Sequence, residues 1–141
     1  MTVERGELIG HWSVEHGYHS SMEDEWLMFR EDGSGWYAYL RPWYSSVVVI
    51  RWLWIRPGIV RVESRREIEV DEAEGNARLE RRYIDVSEEV AYAVTLVRRP
   101  LVDEPVRELR IGLSHCLGGA FAWVGLDEPE RDFLHAADVR P

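Results

Sequence analysis

The sequence predicts an all-β protein, a single antiparallel up-and-down β-barrel of about eight to nine strands with a short C-terminal helix or turn. Short runs of alternating apolar and polar residues recur along almost the whole chain, and this period of two is typical of half-buried strands. Turn-forming residues separate the runs. Because consecutive hairpins must hide the two edges of their sheet, we expect the sheet to close into a barrel.

Length and composition indicate one domain over residues 1–141. A chain of 141 residues can bury one substantial core but not two comfortable ones. Hydrophobic residues make up 45% and charged residues 30%, which is the balance of a folded globular protein. The 7 Trp and 6 Tyr provide large apolar surfaces, which suit either a tightly packed core or an aromatic-lined pocket.

Nine runs carry the strand pattern, and the residues between them predict turns. Glu31–Gly35 tolerates positive φ angles and is the clearest hairpin turn; Arg56–Gly58 forms another. Asp71–Asn76 is predicted to be an acidic surface loop, and Glu128–His135, with a proline and early acidic residues, a short helix or turn. The nine runs are Gly10–His16, Glu25–Arg30, Gly35–Trp43, Val47–Ile55, Ile59–Val70, Ala77–Val86, Val90–Arg98, Val106–His115 and Phe121–Leu126.

Three features of this series resemble the lipocalin-like, or calycin, barrels. They are Gly10-x-Trp12 in the first run, the hairpin Phe29-x-x-Asp32-Gly33-Ser34-Gly35, and a meander-like strand spacing up to about residue 126. The resemblance implies a barrel whose interior holds a small molecule. The chain departs from the family in having neither a disulfide pair nor a counterpart of the later family motifs.

The resemblance also implies that Trp12 points into the barrel, and alternation along the strand then sends His16 inward, with Tyr18 near the strand end. In the fourth run Arg51 should face solvent, which turns its neighbours inward. The apolar face of the eighth run continues to His115. The interior side chains expected to bind a ligand are Trp12, Ile50, Trp52, Trp54, Val62, Ser64, Ile111, Leu113 and His115.

The candidate catalytic residues are His16 and Tyr18, which would transfer a proton if the bound molecule is also converted. With nine strands, the eighth run opposes the first, so His115 is expected near the Gly10 end of the barrel and away from His16.

The net charge of −9 predicts no binding to nucleic acid or to an anionic membrane, because both need clustered positive charge. The segment Met1–Glu7 lacks the features of a signal peptide, and the single Cys116 has no intramolecular disulfide partner. No apolar run approaches the length of a membrane span. We therefore expect a cytoplasmic protein.

The sequence contains no strong metal or cofactor motif, and we expect neither group. His16 and His19 are three residues apart, so on a strand they face opposite sides. Acidic neighbours such as Asp24 and Glu25 diverge on a strand as well, and we expect them in solvated turns rather than as paired catalytic carboxylates.

Two functions follow from these features. The first is an intracellular barrel that binds a small, largely apolar or aromatic molecule in its interior, either without chemistry or as a cofactor-free cyclase or isomerase. The second is a protein-interaction module with a filled barrel, in which Trp43, Tyr44 and the acidic loop near Asp71 contact a partner. A homodimer is compatible with both.

Overall fold

The chain forms a closed ring of eight antiparallel strands, which confirms the predicted all-β class. The computed structural model describes residues 5–18, 22–72, 78–131 and Leu134. Each strand pairs with the next one along the chain, and β8 pairs with β1 to close the ring. A 3-10 turn, Arg5–Leu8, precedes the first strand. The strands are β1 (Gly10–Ser13), β2 (Asp24–Phe29), β3 (Ser34–Arg41), β4 (Tyr44–Arg56), β5 (Ile59–Asp71), β6 (Arg78–Val97), β7 (Val106–Ile111) and β8 (Ala120–Gly125).

One long strand, β6, replaces the predicted sixth and seventh runs. No glycine or proline interrupts the sequence between them, and the strand changes partner without ending: residues 78–91 pair with β5 and residues 92–97 with β7. The run that begins at Val106 is therefore the seventh strand, parallel to β1. The expectation that His115 lies near the Gly10 end was wrong, because His115 follows the same end of the barrel as Ser13.

The first strand is shorter than predicted, since β1 ends at Ser13. The backbone then turns: Tyr18 donates its N–H to the carbonyl of Glu15 at 2.9 Å, and Gly17 adopts a φ of 87°. Strand alternation therefore does not reach His16, and the expectation that His16 points into the barrel was wrong.

Both predicted hairpin turns are present. Gly33 and Gly58 have φ angles of 88° and 84°, which glycine adopts without the strain that a Cβ would cause. In the first turn, one carboxylate oxygen of Asp32 accepts the backbone N–H and the hydroxyl of Ser34 at 2.9 and 2.6 Å. Of the predicted acidic loop, Asp71 and Glu72 are exposed, and residues 73–76 lie outside the described residues.

The predicted C-terminal helix falls largely outside the described residues, which include 128–131 and Leu134 but not 132, 133 or 135. Residues 128–131 carry no helix. No helix in the described part of the chain is long and apolar enough to cross a membrane.

The barrel interior contains one cluster of buried apolar side chains. The inward faces predicted for β4, β5 and β7 contribute to it, as strand alternation requires. Such a cluster supplies most of the favourable free energy of folding, because every side chain in it leaves water. Its buried members are Leu8, Trp12, Leu27, Phe29, Tyr37, Val48, Ile50, Trp52, Val60, Val62, Tyr92, Leu109, Ile111, Leu113 and Phe121.

A second apolar cluster lies on the outer face of β2 to β5. It contains Trp36 and Ile68, and Leu134 from the C-terminal segment packs into it. Glu128 fastens the same segment, because its carboxylate accepts the indole N–H of Trp36 at 2.9 Å and pairs with Arg30 at 2.5 Å. The C-terminal segment thus covers part of the sheet that simple alternation would leave in water, and β3 is buried on both faces.

Candidate functional site

The structure has a cavity of about 1090 Å³ on the outside of the barrel, which we call the outer cleft. Its floor is the outer face of β1 and β2, with His11 and Trp26. Its walls are the 14–18 turn, the 41–44 turn between β3 and β4, and the C-terminal segment at Glu130 and Arg131. None of the interior cluster residues lines it.

Asp24 organises the floor of the outer cleft through four hydrogen bonds. One carboxylate oxygen accepts the N–H groups of Glu15 and Glu25, at 3.0 and 2.7 Å. The other accepts the Ser13 hydroxyl and the Trp26 indole N–H, both at 2.8 Å. Bonds to a carboxylate are stronger than those between neutral groups, so Asp24 holds the end of β1, the following turn and the Trp26 ring in one arrangement.

Aromatic rings line the outer cleft, and cationic groups already contact two of them. The guanidinium of Arg131 lies 5.4 Å from the centre of the Trp26 ring, and that of Arg41 lies 4.7 Å from Tyr44. Trp43 is 68% exposed. The π-face of an aromatic ring attracts cations, so these walls suit a positively charged group better than an anion.

Carboxylates outnumber guanidinium groups among the described residues of the outer cleft. The positive side chains are Arg41 and Arg131. The negative ones are Glu15, Glu23, Asp24, Glu72 and Glu130. The surplus of negative charge favours a cationic ligand through the summed potential of the cleft.

The buried Arg99 supports the turn that forms one wall. Its guanidinium donates to the carbonyls of Val14 and His16, at 2.6 and 2.8 Å, and pairs with buried Glu108 at 3.3 Å. The same group lies 4.6 Å from the centre of the Tyr18 ring. Arg99 therefore positions both candidate catalytic residues, although it comes from the distant loop between β6 and β7.

His11 is a neutral histidine in the floor of the outer cleft. Its ring packs edge-on against Trp26, with 4.9 Å between the ring centres, and its Nε2 has no hydrogen-bond partner among the described residues. Burial lowers the pKa of His11 from 6.5 to about 4, against the opposing effect of the Asp24 charge. Burial penalises the charged form of a histidine, so the folded protein favours the neutral imidazole.

This pKa predicts a loss of stability in mild acid. The unfolded chain binds a proton at His11 near pH 6.5 but the folded chain only near pH 4, so the stabilisation is present above pH 6.5 and is lost as the pH falls toward 4. The shift corresponds to about 3 kcal/mol. Urea denaturation between pH 4 and 7 should show a shallower pH dependence for His11→Phe than for the wild type. An unchanged slope would contradict the assignment; burial also lowers the pKa of His115, which leaves a residual slope.

The structure separates the predicted site residues into two groups. His16 and Tyr18 line the outer cleft. The predicted ligand-binding residues lie in or against the interior: Trp12, Ile50, Trp52, Val62, Ile111 and Leu113 belong to the cluster, Trp54 packs against it, Ser64 is 1% exposed, and the His115 ring lies 4.9 Å from that of Tyr37.

Several of these interior polar groups are engaged within the protein. The Trp52 indole N–H donates to the carbonyls of Arg30 and Ser34, and that of Trp54 donates to the Tyr92 hydroxyl at 2.9 Å. Ser64 Oγ and His115 Nε2, by contrast, are buried without a hydrogen-bond partner among the described residues.

The expectation that Glu25 lies in a solvated turn was wrong, because its side chain is buried. It lies at the end of the barrel next to the loop between β7 and β8, which we call the inner mouth. Its carboxylate accepts the Tyr37 hydroxyl at 2.6 Å and the N–H groups of Leu117 and Gly118 at 2.7 Å. Together with burial, this carboxylate raises the pKa of Tyr37. Glu25 thereby ties the loop between β7 and β8 to β2.

Sequence reasoning missed three residues that shape these sites: Asp24, Glu25 and Arg99. The signal for the first two was weak, because adjacent carboxylates usually occupy solvated turns. Arg99 had no local signal, since its polar partners Val14, His16 and Glu108 come from other segments. Among the described residues, which leave out His19, no group of three His, Cys, Asp or Glu side chains is arranged to hold a metal ion.

Comparison of the chain with protein-family models, with curated proteins and with solved structures gives no match.

Proposed function

We propose that the protein binds a small molecule that combines an aromatic or apolar body with a positively charged group, and that it does so in the outer cleft. The observation that carries this proposal is the coincidence of aromatic walls and surplus carboxylates in one cavity of about 1090 Å³. Ligand sites in proteins commonly span about 300–1,000 Å³ and pair apolar walls with a few placed polar groups.

The proposal keeps the ligand class expected from the lipocalin-like resemblance but places the ligand outside the barrel. Inside, six of the nine predicted ligand-binding residues belong to one apolar cluster, and Trp54 packs against it. His16 and Tyr18 line the outer cleft, so a cofactor-free conversion would use the same site, with these two residues as its proton-transfer groups. A cytoplasmic location belongs to the same proposal.

Calorimetric titration with three matched indoles tests the charge preference. Tryptamine is cationic, tryptophol is neutral and indole-3-acetate is anionic, on nearly the same aromatic body. We expect tryptamine to bind at least about tenfold more tightly than tryptophol, in line with cation–π and charge attraction of about 1–2 kcal/mol, and indole-3-acetate to bind most weakly. Equal affinity for the three compounds would contradict the proposed basis of recognition.

Variants of the wall residues locate the binding. Trp43→Ala should weaken tryptamine binding by about tenfold, and Glu72→Gln by about threefold, because each removes one attraction to the cation. Glu104→Gln is the matched control, since it removes the same charge from an exposed loop position outside the cleft. If Trp43→Ala and Glu72→Gln both bind tryptamine as tightly as the Glu104→Gln control, the binding site is not the outer cleft.

Trp43 also favours a second candidate function, recognition of a protein segment. Its indole is 68% exposed, and its backbone has a φ of 59°, a left-handed conformation that tryptophan rarely adopts. Exposed tryptophans are frequent hot spots of protein interfaces. Binding of an arginine-rich peptide that depends on Trp43, without any binding of the free indoles, would favour this function over the first.

A further inference from the structure

We propose that two copies of the chain pair through the outer edge of β6, with residues 79–83 of each copy running antiparallel around a twofold axis at Arg81. The partner is a second copy, and the contact extends the sheet of one barrel into that of the other.

The first observation is an open strand edge. Residues 78–91 of β6 pair with β5 on one side, whereas β7 pairs only with residues 92–97. Within the described chain, no strand therefore occupies the other edge of residues 78–91. The pairing with β5 is irregular between Tyr83 and Val86, where Ser64 and Arg66 mark a bulge. That leaves 78–83 as a regular segment with unpaired backbone groups, which is a template for another strand.

The second observation is that two exposed apolar side chains lie at positions that can pair across the twofold axis. Leu79 is 40% exposed and Tyr83 is 91% exposed. A twofold axis normal to the sheet keeps each side chain on its own face, so opposed residues must lie an even number of positions apart. With the axis at Arg81, Leu79 of each copy lies opposite Tyr83 of the other, and two apolar cross-strand pairs form on one face.

The third observation is charge complementarity on the other face. In the same register Glu80 lies opposite Arg82 of the second copy, twice. Within one copy, Arg82 already pairs with Glu67 at 2.7 Å and lies 3.8 Å from Glu69. Glu80 is the register partner of Glu69, so two carboxylates lie opposite each other within one copy, and the Arg82 of a second copy would offset their repulsion.

The segment is complementary to its own reverse, and this selects a second copy over an unrelated chain. Opposed charges of like sign would repel across an antiparallel pair. In this register, Arg81 is the residue that lies opposite its own equivalent, at the axis. Its long side chain can lean away from its equivalent over the neighbouring Tyr83 ring, an arrangement that suits a guanidinium.

Sedimentation velocity between about 5 and 500 µM tests the proposal. The wild type should dimerise with increasing concentration, and Glu80→Arg or Arg82→Glu alone should each weaken the dimer at least tenfold by opposing like charges. Mixing the two variants should restore a dimer, because Glu80→Arg in one copy then faces Arg82→Glu in the other at both positions. Far-UV circular dichroism checks that each variant folds. A wild type that stays monomeric, or a mixture that stays as weak as its components, would overturn the proposal.

A crosslink gives a second readout that does not depend on charge. At the axis the two Arg81 Cα atoms would lie within the ~4.4–6.8 Å range of a disulfide, so Arg81→Cys should form a covalent dimer on oxidation. Glu89→Cys, exposed on the same strand beyond the paired segment, is the control, and the unsubstituted protein reports any contribution of Cys116. Equal crosslinking of the two variants would exclude the proposed register.

Discussion

Replacing Arg99 by alanine should lower the free energy of unfolding by about 3–5 kcal/mol, the usual cost of removing one partner of a buried ion pair. The Arg99 side chain is 1% exposed and that of Glu108 is 7% exposed. Among the described residues, the substitution leaves the buried Glu108 carboxylate with a 3.2 Å contact to Arg110, whose side chain is 71% exposed. It also removes Arg99 Nη1, which donates to the carbonyls of both Val14 and His16.

The neighbouring Arg98→Ala is the matched control for this experiment. Arg98 is exposed and donates a 3.3 Å hydrogen bond to the carbonyl of Asp103, so we expect a change within about 0.5 kcal/mol. Arg99→Lys should fall between the two, because an ammonium keeps the charge but lacks the planar set of donors. Urea denaturation gives all three values. Similar losses for the Arg98 and Arg99 alanine variants would show that Arg99 does not hold the turn.

Because Arg99 positions the 14–18 turn, its replacement should also change ligand binding in the outer cleft. A modest weakening of tryptamine binding in Arg99→Lys, measured under conditions where the variant is fully folded, would place the turn in the binding site. Unchanged binding would confine Arg99 to a stabilising role.

The second large effect is expected for Glu25→Ala, with a loss of about 3–4 kcal/mol. The change leaves the Tyr37 hydroxyl and two backbone N–H groups at the inner mouth without their acceptor, and each buried unsatisfied donor costs about 1–3 kcal/mol. Removing a buried charge offsets part of this cost.

Hydrogen exchange locates the effect of Glu25→Ala within the protein. The amides of Leu117 and Gly118 should lose protection much more than those of the β3 and β4 strands, because only the former donate to Glu25. The control is Glu89→Ala, which breaks an exposed pair with Arg61 and should cost less than about 1 kcal/mol. Retained protection at residues 117 and 118 would contradict the anchoring role of Glu25.

Local sequence determined the class of the fold and much of its interior. The inward sides of β4, β5 and β7 followed from strict alternation, since a strand has only two faces and one of them carried the apolar residues. The turns at Gly33 and Gly58 followed from the positive φ angles that glycine accepts. Closure of the sheet followed from the need to hide its edges. Within the described residues, the sheet closes and the edge of β6 at residues 78–91 stays unpaired.

The tertiary structure decided which charged groups are buried and where a cavity forms. Arg99, Glu25 and Asp24 resemble surface residues in sequence, and only partners that are distant along the chain make their burial favourable. The single strand β6 required pairing with both β5 and β7, and the outer cluster required a C-terminal segment that folds back over the sheet. A period of two predicts that one face of a strand is buried. It does not predict what covers the other face, because that depends on contacts between segments far apart in sequence.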